Sequence, residues 1–89
     1  MHVEFDPSKD ALNLTKHGVS LSMAGELDWG NALVWLDERV EYGEIRMIAL
    51  APKTRTLYCL AFVDIGESRR IISLRRATRR EVKHYVESF

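Results

Sequence analysis

Thr56-Leu57-Tyr58-Cys59-Leu60-Ala61-Phe62-Val63 is the stretch on which the fold turns. It is apolar at odd and even positions alike, the pattern of a strand covered on both faces and so central in a sheet. Asp64-Ile65-Gly66-Glu67-Ser68 reads as the turn that follows, and residues 69–75 as the next strand, with Ile71 and Ile72 at its middle. Upstream, residues 45–50 form a strand entered through Tyr42-Gly43-Glu44 and left through a turn at Pro52 and Lys53-Thr54-Arg55. Ahead of it, Ala32-Leu33-Val34-Trp35-Leu36 is a short apolar run of strand length. Connections this short favour four strands in an antiparallel meander.

Helices flank the meander. Asp6 can cap free backbone N–H groups, and Pro7 suits a first helical position because its missing N–H costs nothing there. That helix runs through Ala11, Leu12 and Leu14 to Lys16-His17 and stops at Gly18. Ser20 opens a second, shorter helix carrying Leu21, Ala24 and Leu27, which fades near Gly30. Thr78-Arg79-Arg80-Glu81 is a capping box, followed by Val82, Tyr85, Val86 and Phe89 as one apolar stripe of an amphipathic helix. The expected architecture is α+β in the order α-α-β-β-β-β-α: two N-terminal helices, a four-stranded antiparallel sheet and a C-terminal helix, with the helices on one face. At 89 residues the chain reads as a single domain, 1–89, with room for one core and one site.

Hydrophobic residues make up 46% and charged residues 29%, the balance of a globular chain and not of a disordered one. No apolar run approaches the ~20 residues of a membrane span. The start lacks the basic and then apolar regions of a secretory signal, and Cys59 has no second cysteine to pair with, so the expected location is the cytoplasm. His2, His17, Cys59 and His84 lack the spacing of a structural zinc site, no carboxylate cluster suits magnesium, and no glycine loop cradles phosphates. The expectation is chemistry without metal or cofactor.

A net charge of zero argues at first against a polyanionic partner. The charges are nevertheless polarised. Up to Ile45 three basic residues face nine acidic ones, a balance of −6; after it ten basic residues face four acidic ones, a balance of +6. Eight of those ten are arginine, whose planar fork matches phosphate oxygens. Residues 69–80 alone hold six arginines: Arg69, Arg70, Arg75, Arg76, Arg79 and Arg80. Strand alternation predicts Arg69, Ile71, Ser73 and Arg75 on one face and Arg70, Ile72, Leu74 and Arg76 on the other. Arg79 and Arg80 oppose the dipole of the last helix, an arrangement that an anion beside them would reverse. A solvated, salt-bridged face is the plain alternative.

Lys16-His17 ends the first helix, where cations are welcome in any case; histidine also titrates near neutrality and can move a proton. Glu44 and Arg46 share one strand face and are readable as a surface ion pair. Trp29 and Trp35 read as core or interface anchors before base-stacking platforms.

Three motifs resemble those of the BrnT toxins of bacterial type II toxin–antitoxin systems. They are Asp6-Pro7 with Asn13-Leu14-Thr15-Lys16-His17-Gly18-Val19; Gly43-Glu44-Ile45-Arg46; and Ile71-Ile72-Ser73-Leu74-Arg75-Arg76-Ala77 with Glu81 and Tyr85. Leu74 stands for the usual alanine, and Ala51 where a glycine commonly follows the second strand. The resemblance implies a RelE-like ribonuclease fold, RNA cleavage that halts translation, and a BrnA-type antitoxin that joins the toxin in a hetero-oligomer and binds operator DNA. It implies catalytic roles for Lys16, His17, Arg46, Arg75 and, more weakly, Tyr85, with Arg69, Arg76, Arg79 and Arg80 on flanking phosphates. The competing classes are a non-catalytic RNA- or DNA-binding module and a protein-interaction subunit using the same arginines.

Overall fold

The computed structural model describes every residue except Val40 and Tyr42, so the expected approach through Tyr42 lies outside the described residues. The elements are β1 (His2–Glu4), α1 (Pro7–His17), 3-10 turns at Leu21–Glu26 and Trp29–Asn31, β2 (Leu33–Leu36), β3 (Met47–Lys53), β4 (Thr56–Ile65), β5 (Ser68–Arg76) and α2 (Arg79–Glu87). They build one sheet in the order β1-β5-β4-β3-β2. The expected meander is present: β2, β3, β4 and β5 pair antiparallel in succession, with β4 central.

Four expectations need correction. First, the sheet has five strands and is mixed, because β1 pairs parallel with residues 68–70 of β5. Three residues are too few to show a period of two, so this strand left no pattern in the sequence. Second, Leu21–Glu26 is a 3-10 turn and not an α-helix. It is only six residues long and contains Gly25, which is worth about 1 kcal/mol less than alanine in a helix interior. Third, β3 starts at Met47 instead of residue 45; Ile45 is 73% exposed.

The fourth correction is the most consequential. Ala61 pairs with Ser73 and Phe62 with Ile71, so Ile72 is an extra residue, a β-bulge in β5. Alternation therefore slips by one. Ile71 and Leu74 both enter the core with Phe62 and Leu60, while Ile72 packs on the other face with Ile48, Cys59 and Ala61. The register puts Arg69 with Asp64, and Arg75 with Cys59. The two arginines, expected on one face, thus occupy opposite ones.

The caps behave as read. The Asp6 side chain accepts the Ser8 N–H at 2.8 Å, and Gly18 ends α1 in the left-handed region (φ 74°), where its N–H reaches the Leu14 carbonyl. The Asp10 carboxylate then accepts the Leu21 N–H at 2.7 Å and the Ser20 hydroxyl at 3.0 Å, fixing the turn that follows.

The two faces are covered unequally. On one, Leu21, Ala24 and Leu27 seal Phe62, Leu60, Ile71 and Leu74, with Trp29 packed edge-on to Phe62 at 5.3 Å. Each such buried side chain contributes about 1.5–3 kcal/mol. On the other, α2 is the cover, and it is partial; the expected placement of the helices on one face therefore does not hold, since α2 and the turn at Leu21–Glu26 pack on opposite sides of the sheet. It meets the sheet through Glu81, His84 and Tyr85, so of the expected apolar stripe only Tyr85 is used: Val82, Val86 and Phe89 are 42%, 65% and 72% exposed. No helix among the described residues is long and apolar enough to cross a membrane.

Candidate active site

β1 covers only residues 68–70 of β5, and the edge beyond needs another partner. Asn13 supplies it. Its Oδ1 accepts the Leu74 N–H at 3.1 Å, and its Nδ2 donates to the Leu74 carbonyl at 2.8 Å and the Val19 carbonyl at 3.0 Å. This buried amide imitates a neighbouring strand and draws the end of α1 to the sheet. As a result Lys16, His17 and Arg46 line one cavity of about 290 Å³, together with Ile72 and Ser73.

Ser73 also lines a second cavity, of about 220 Å³, with Trp35, Ile48, Cys59, Ala61, Arg75 and Glu81. The two spaces thus adjoin at Ser73, on the partly covered face. The structure places four of the residues singled out in the sequence on these two cavities, Lys16, His17 and Arg46 on the first and Arg75 on the second, with Ser73 lining both.

The arginines there are held by carboxylates. Glu81 takes Arg75 bidentately, Nη1 to Oε1 at 2.7 Å and Nη2 to Oε2 at 3.0 Å, while Nη1 also donates to the Arg76 carbonyl. The same Glu81 closes the capping box, accepting the Thr78 N–H at 2.8 Å, and the Glu81 N–H donates to the Thr78 hydroxyl. The hydrogen bonds from Arg75, with that from Thr78, overcome desolvation and hold the Glu81 carboxyl at about 2. The bond to Glu81 in turn raises the Arg75 pKa against desolvation. Glu44 accepts Arg46 Nε at 3.2 Å and Arg70 Nη2 at 2.7 Å. Desolvation pushes its carboxyl up, but the two arginines together outweigh it and leave the pKa below the ordinary value. Burial pushes the Cys59 thiol up to about 11, so at neutral pH it is an uncharged part of the floor. Among the described residues, no three His, Cys, Asp or Glu side chains gather as ligands for a metal ion.

The remaining expected site residues lie elsewhere. Arg69 is on the opposite face, its guanidinium 4.5 Å from the centre of the Trp29 ring and 4.6 Å from that of Phe62, with an ion pair to Asp64 at 2.8 Å. Tyr85 lines neither cavity; its ring packs under α2 and its hydroxyl donates to the Asn31 carbonyl at 2.6 Å. Arg76 pairs with Tyr58 at the end of β5 and is exposed. Arg79 and Arg80 stand exposed on the first turn of α2. Sequence reasoning missed Asn13, Ser73, Glu81 and the cavity-facing position of Trp35. Asn13, Ser73 and Glu81 all stood within the quoted motifs, and Glu81 also in the capping box, but none of these signals pointed to a role in the site.

A sequence profile of the family described as "Ribonuclease toxin, BrnT, of type II toxin-antitoxin system" matches residues 5–81. The chain belongs to this family. The match spans Lys16, His17, Arg46, Arg75 and Glu81. Among solved structures, the 1.1 Å crystal structure of the Brucella abortus ribonuclease toxin BrnT shares the fold, with a TM-score of 0.67 and 23% identity over 89% of this chain and 99% of that one. No curated protein sequence matches the chain.

Proposed function

We propose that the protein is a metal-independent endoribonuclease that stops translation and is neutralised by a BrnA-type antitoxin, the toxin–antitoxin complex binding operator DNA through the antitoxin. The observation that carries this reading is the convergence of Lys16, His17 and Arg46 on one cavity that adjoins that of Arg75 at Ser73. A ribose 2′-OH attacks the adjacent phosphorus, the P–O5′ bond breaks, and the products are a 2′,3′-cyclic phosphate and a 5′-OH. His17 is the proton-transfer group, and Lys16 adds positive charge beside it. Arg46 and Arg75 stabilise the charge that builds on the phosphate oxygens as the pentacoordinate state forms. Their carboxylate partners hold the guanidinium planes in place, so little reorganisation is needed during the reaction. Arg79 and Arg80 meet flanking phosphates by long-range attraction, in a salt-dependent way.

The test is cleavage of a labelled RNA with excess EDTA present. Cyclic-phosphate ends are expected from the wild type, with a large loss of rate in folded His17→Ala and Arg75→Ala proteins. Salt-sensitive binding with the RNA recovered intact would overturn catalysis in favour of a binding module. Growth arrest on induction, relieved by co-expression of the adjacent antitoxin-like gene, tests the cellular role.

A further inference from the structure

On the partly covered face the strand register aligns Trp35, Ile48, Ala61 and Ser73 in one row across β2, β3, β4 and β5. Strands lie about 4.8 Å apart, so three spacings carry this row roughly 14 Å. Its two ends differ in height. Ala61 and Ser73 are small and keep the floor low, whereas Trp35 rises at the β2 end. The indole is 37% exposed, lines the cavity, and is braced by His84 of α2, ring edge to ring face at 5.7 Å and 89°. A buried anchor would not be left this open, and β2 is an edge strand with no further strand beyond it among the described residues.

Arg75 stands across the same cavity. Glu81 occupies the end of its guanidinium through Nη1 and Nη2, and the Arg76 carbonyl takes the second Nη1 proton. The Nε–H and the second Nη2–H, which form the side edge of the fork, have no hydrogen-bond partner among the described residues. That edge is a two-pronged donor of the kind that fits two oxygens of one phosphate.

We propose that the cavity beneath α2 is a subsite for one nucleotide of a single-stranded RNA, the side edge of Arg75 taking its phosphate and Trp35 stacking on its base. This rests on the ribonuclease reading and gives it a substrate class: unpaired RNA whose base can leave its own stack. Stacking is tolerant of sequence because every base has a π-face, so the subsite selects for single strands more than for a particular letter.

The experiment is fluorescence titration with a 2′-O-methyl trinucleotide, which binds but cannot be cut, beside inorganic phosphate alone. The trinucleotide quenches the wild-type emission, and Trp35→Phe, which retains Trp29, loses that quench. Affinity falls about 5- to 150-fold in Trp35→Ala, the range that stacking on an aromatic ring is worth. It is largely restored in Trp35→Tyr. Phosphate alone binds in an Arg75-dependent manner without the quench. Ala61→Met, which raises the floor, weakens the trinucleotide and not phosphate. Unchanged trinucleotide affinity in folded Trp35→Ala and Ala61→Met proteins that still cleave RNA would overturn the subsite and leave the ribonuclease reading intact. A wild type that binds with the quench and cuts no RNA would overturn catalysis and leave the subsite standing.

Discussion

Arg69 and Arg75 lie six positions apart on one strand and do opposite things. Arg69 lies over the rings of Trp29 and Phe62 on the better-covered face, beside a surface cavity that it lines with Trp29 and Asp64, and with Asp64 as its counter-ion. Arg75 stands at a cavity on the open face, pinned by Glu81 with one edge to spare. The residue type is the same, and so is the strand. What separates them is the extra residue at Ile72 and the cover each face received. A run of arginines is therefore not one basic patch: the sheet sorts it onto two faces, one arginine over aromatic rings and the other at the cavity of the proposed site.

The largest break in the comparison comes from the better-covered face. Phe62→Ala removes a fully buried ring and is expected to cost about 3–5 kcal/mol in urea unfolding, enough to unfold much of so small a domain. Next, Arg75→Ala should lower the cleavage rate about 10²- to 10³-fold, as for loss of one donor to a developing oxyanion. Arg69→Ala should leave the rate within about twofold and cost about 0.5–1 kcal/mol of stability. Equal losses of rate in the two variants would dissolve the distinction.

Asn13→Leu should cost about 1–3 kcal/mol, because the Leu74 N–H and carbonyl lose their partner. Cleavage should fall with it, since Lys16 and His17 hang from the same helix; a stability loss without a rate loss would show that α1 needs no such anchor. The smallest effect is a pH dependence. The Glu81 pKa is lowered from 4.5 to about 2 in the folded protein, so its contribution is complete above about 4.5 and fades as the pH falls toward 2. After solvent screening it is worth about 1 kcal/mol. Glu81→Gln should flatten that part of the acid unfolding curve and leave the profile above pH 6 unchanged.

Much of the fold was legible because its signals are local. Thr56 to Val63 is apolar at every second position twice over, and Asp6-Pro7, Gly18 and Thr78 with Glu81 mark helix ends through chemistry that acts over three or four residues. What stayed illegible is set over long distances. β1 acquires its meaning only beside β5, and the bulge at Ile72 carries no glycine to announce it. Asn13 looks like an ordinary polar helix residue until Leu74 is placed against it. Lys16, His17, Arg46 and Arg75 stood out as charges in motifs, yet nothing in the sequence said that Arg69 and Tyr85 would lie apart from them. Trp35 read as an anchor because exposure at a sheet edge is a property of the fold and not of the residue.

The Asn13 amide bridges two points 61 residues apart in the chain. Closing such a loop carries an entropy that must be met before any contact across it rewards the chain. During synthesis at about 5–20 residues per second, α1 is made several seconds before Leu74 exists to receive it. Lys16 and His17 thus wait, without Arg75 and without a cavity, through most of translation. On the proposed reading, a chain still being made therefore holds only part of its cutting site.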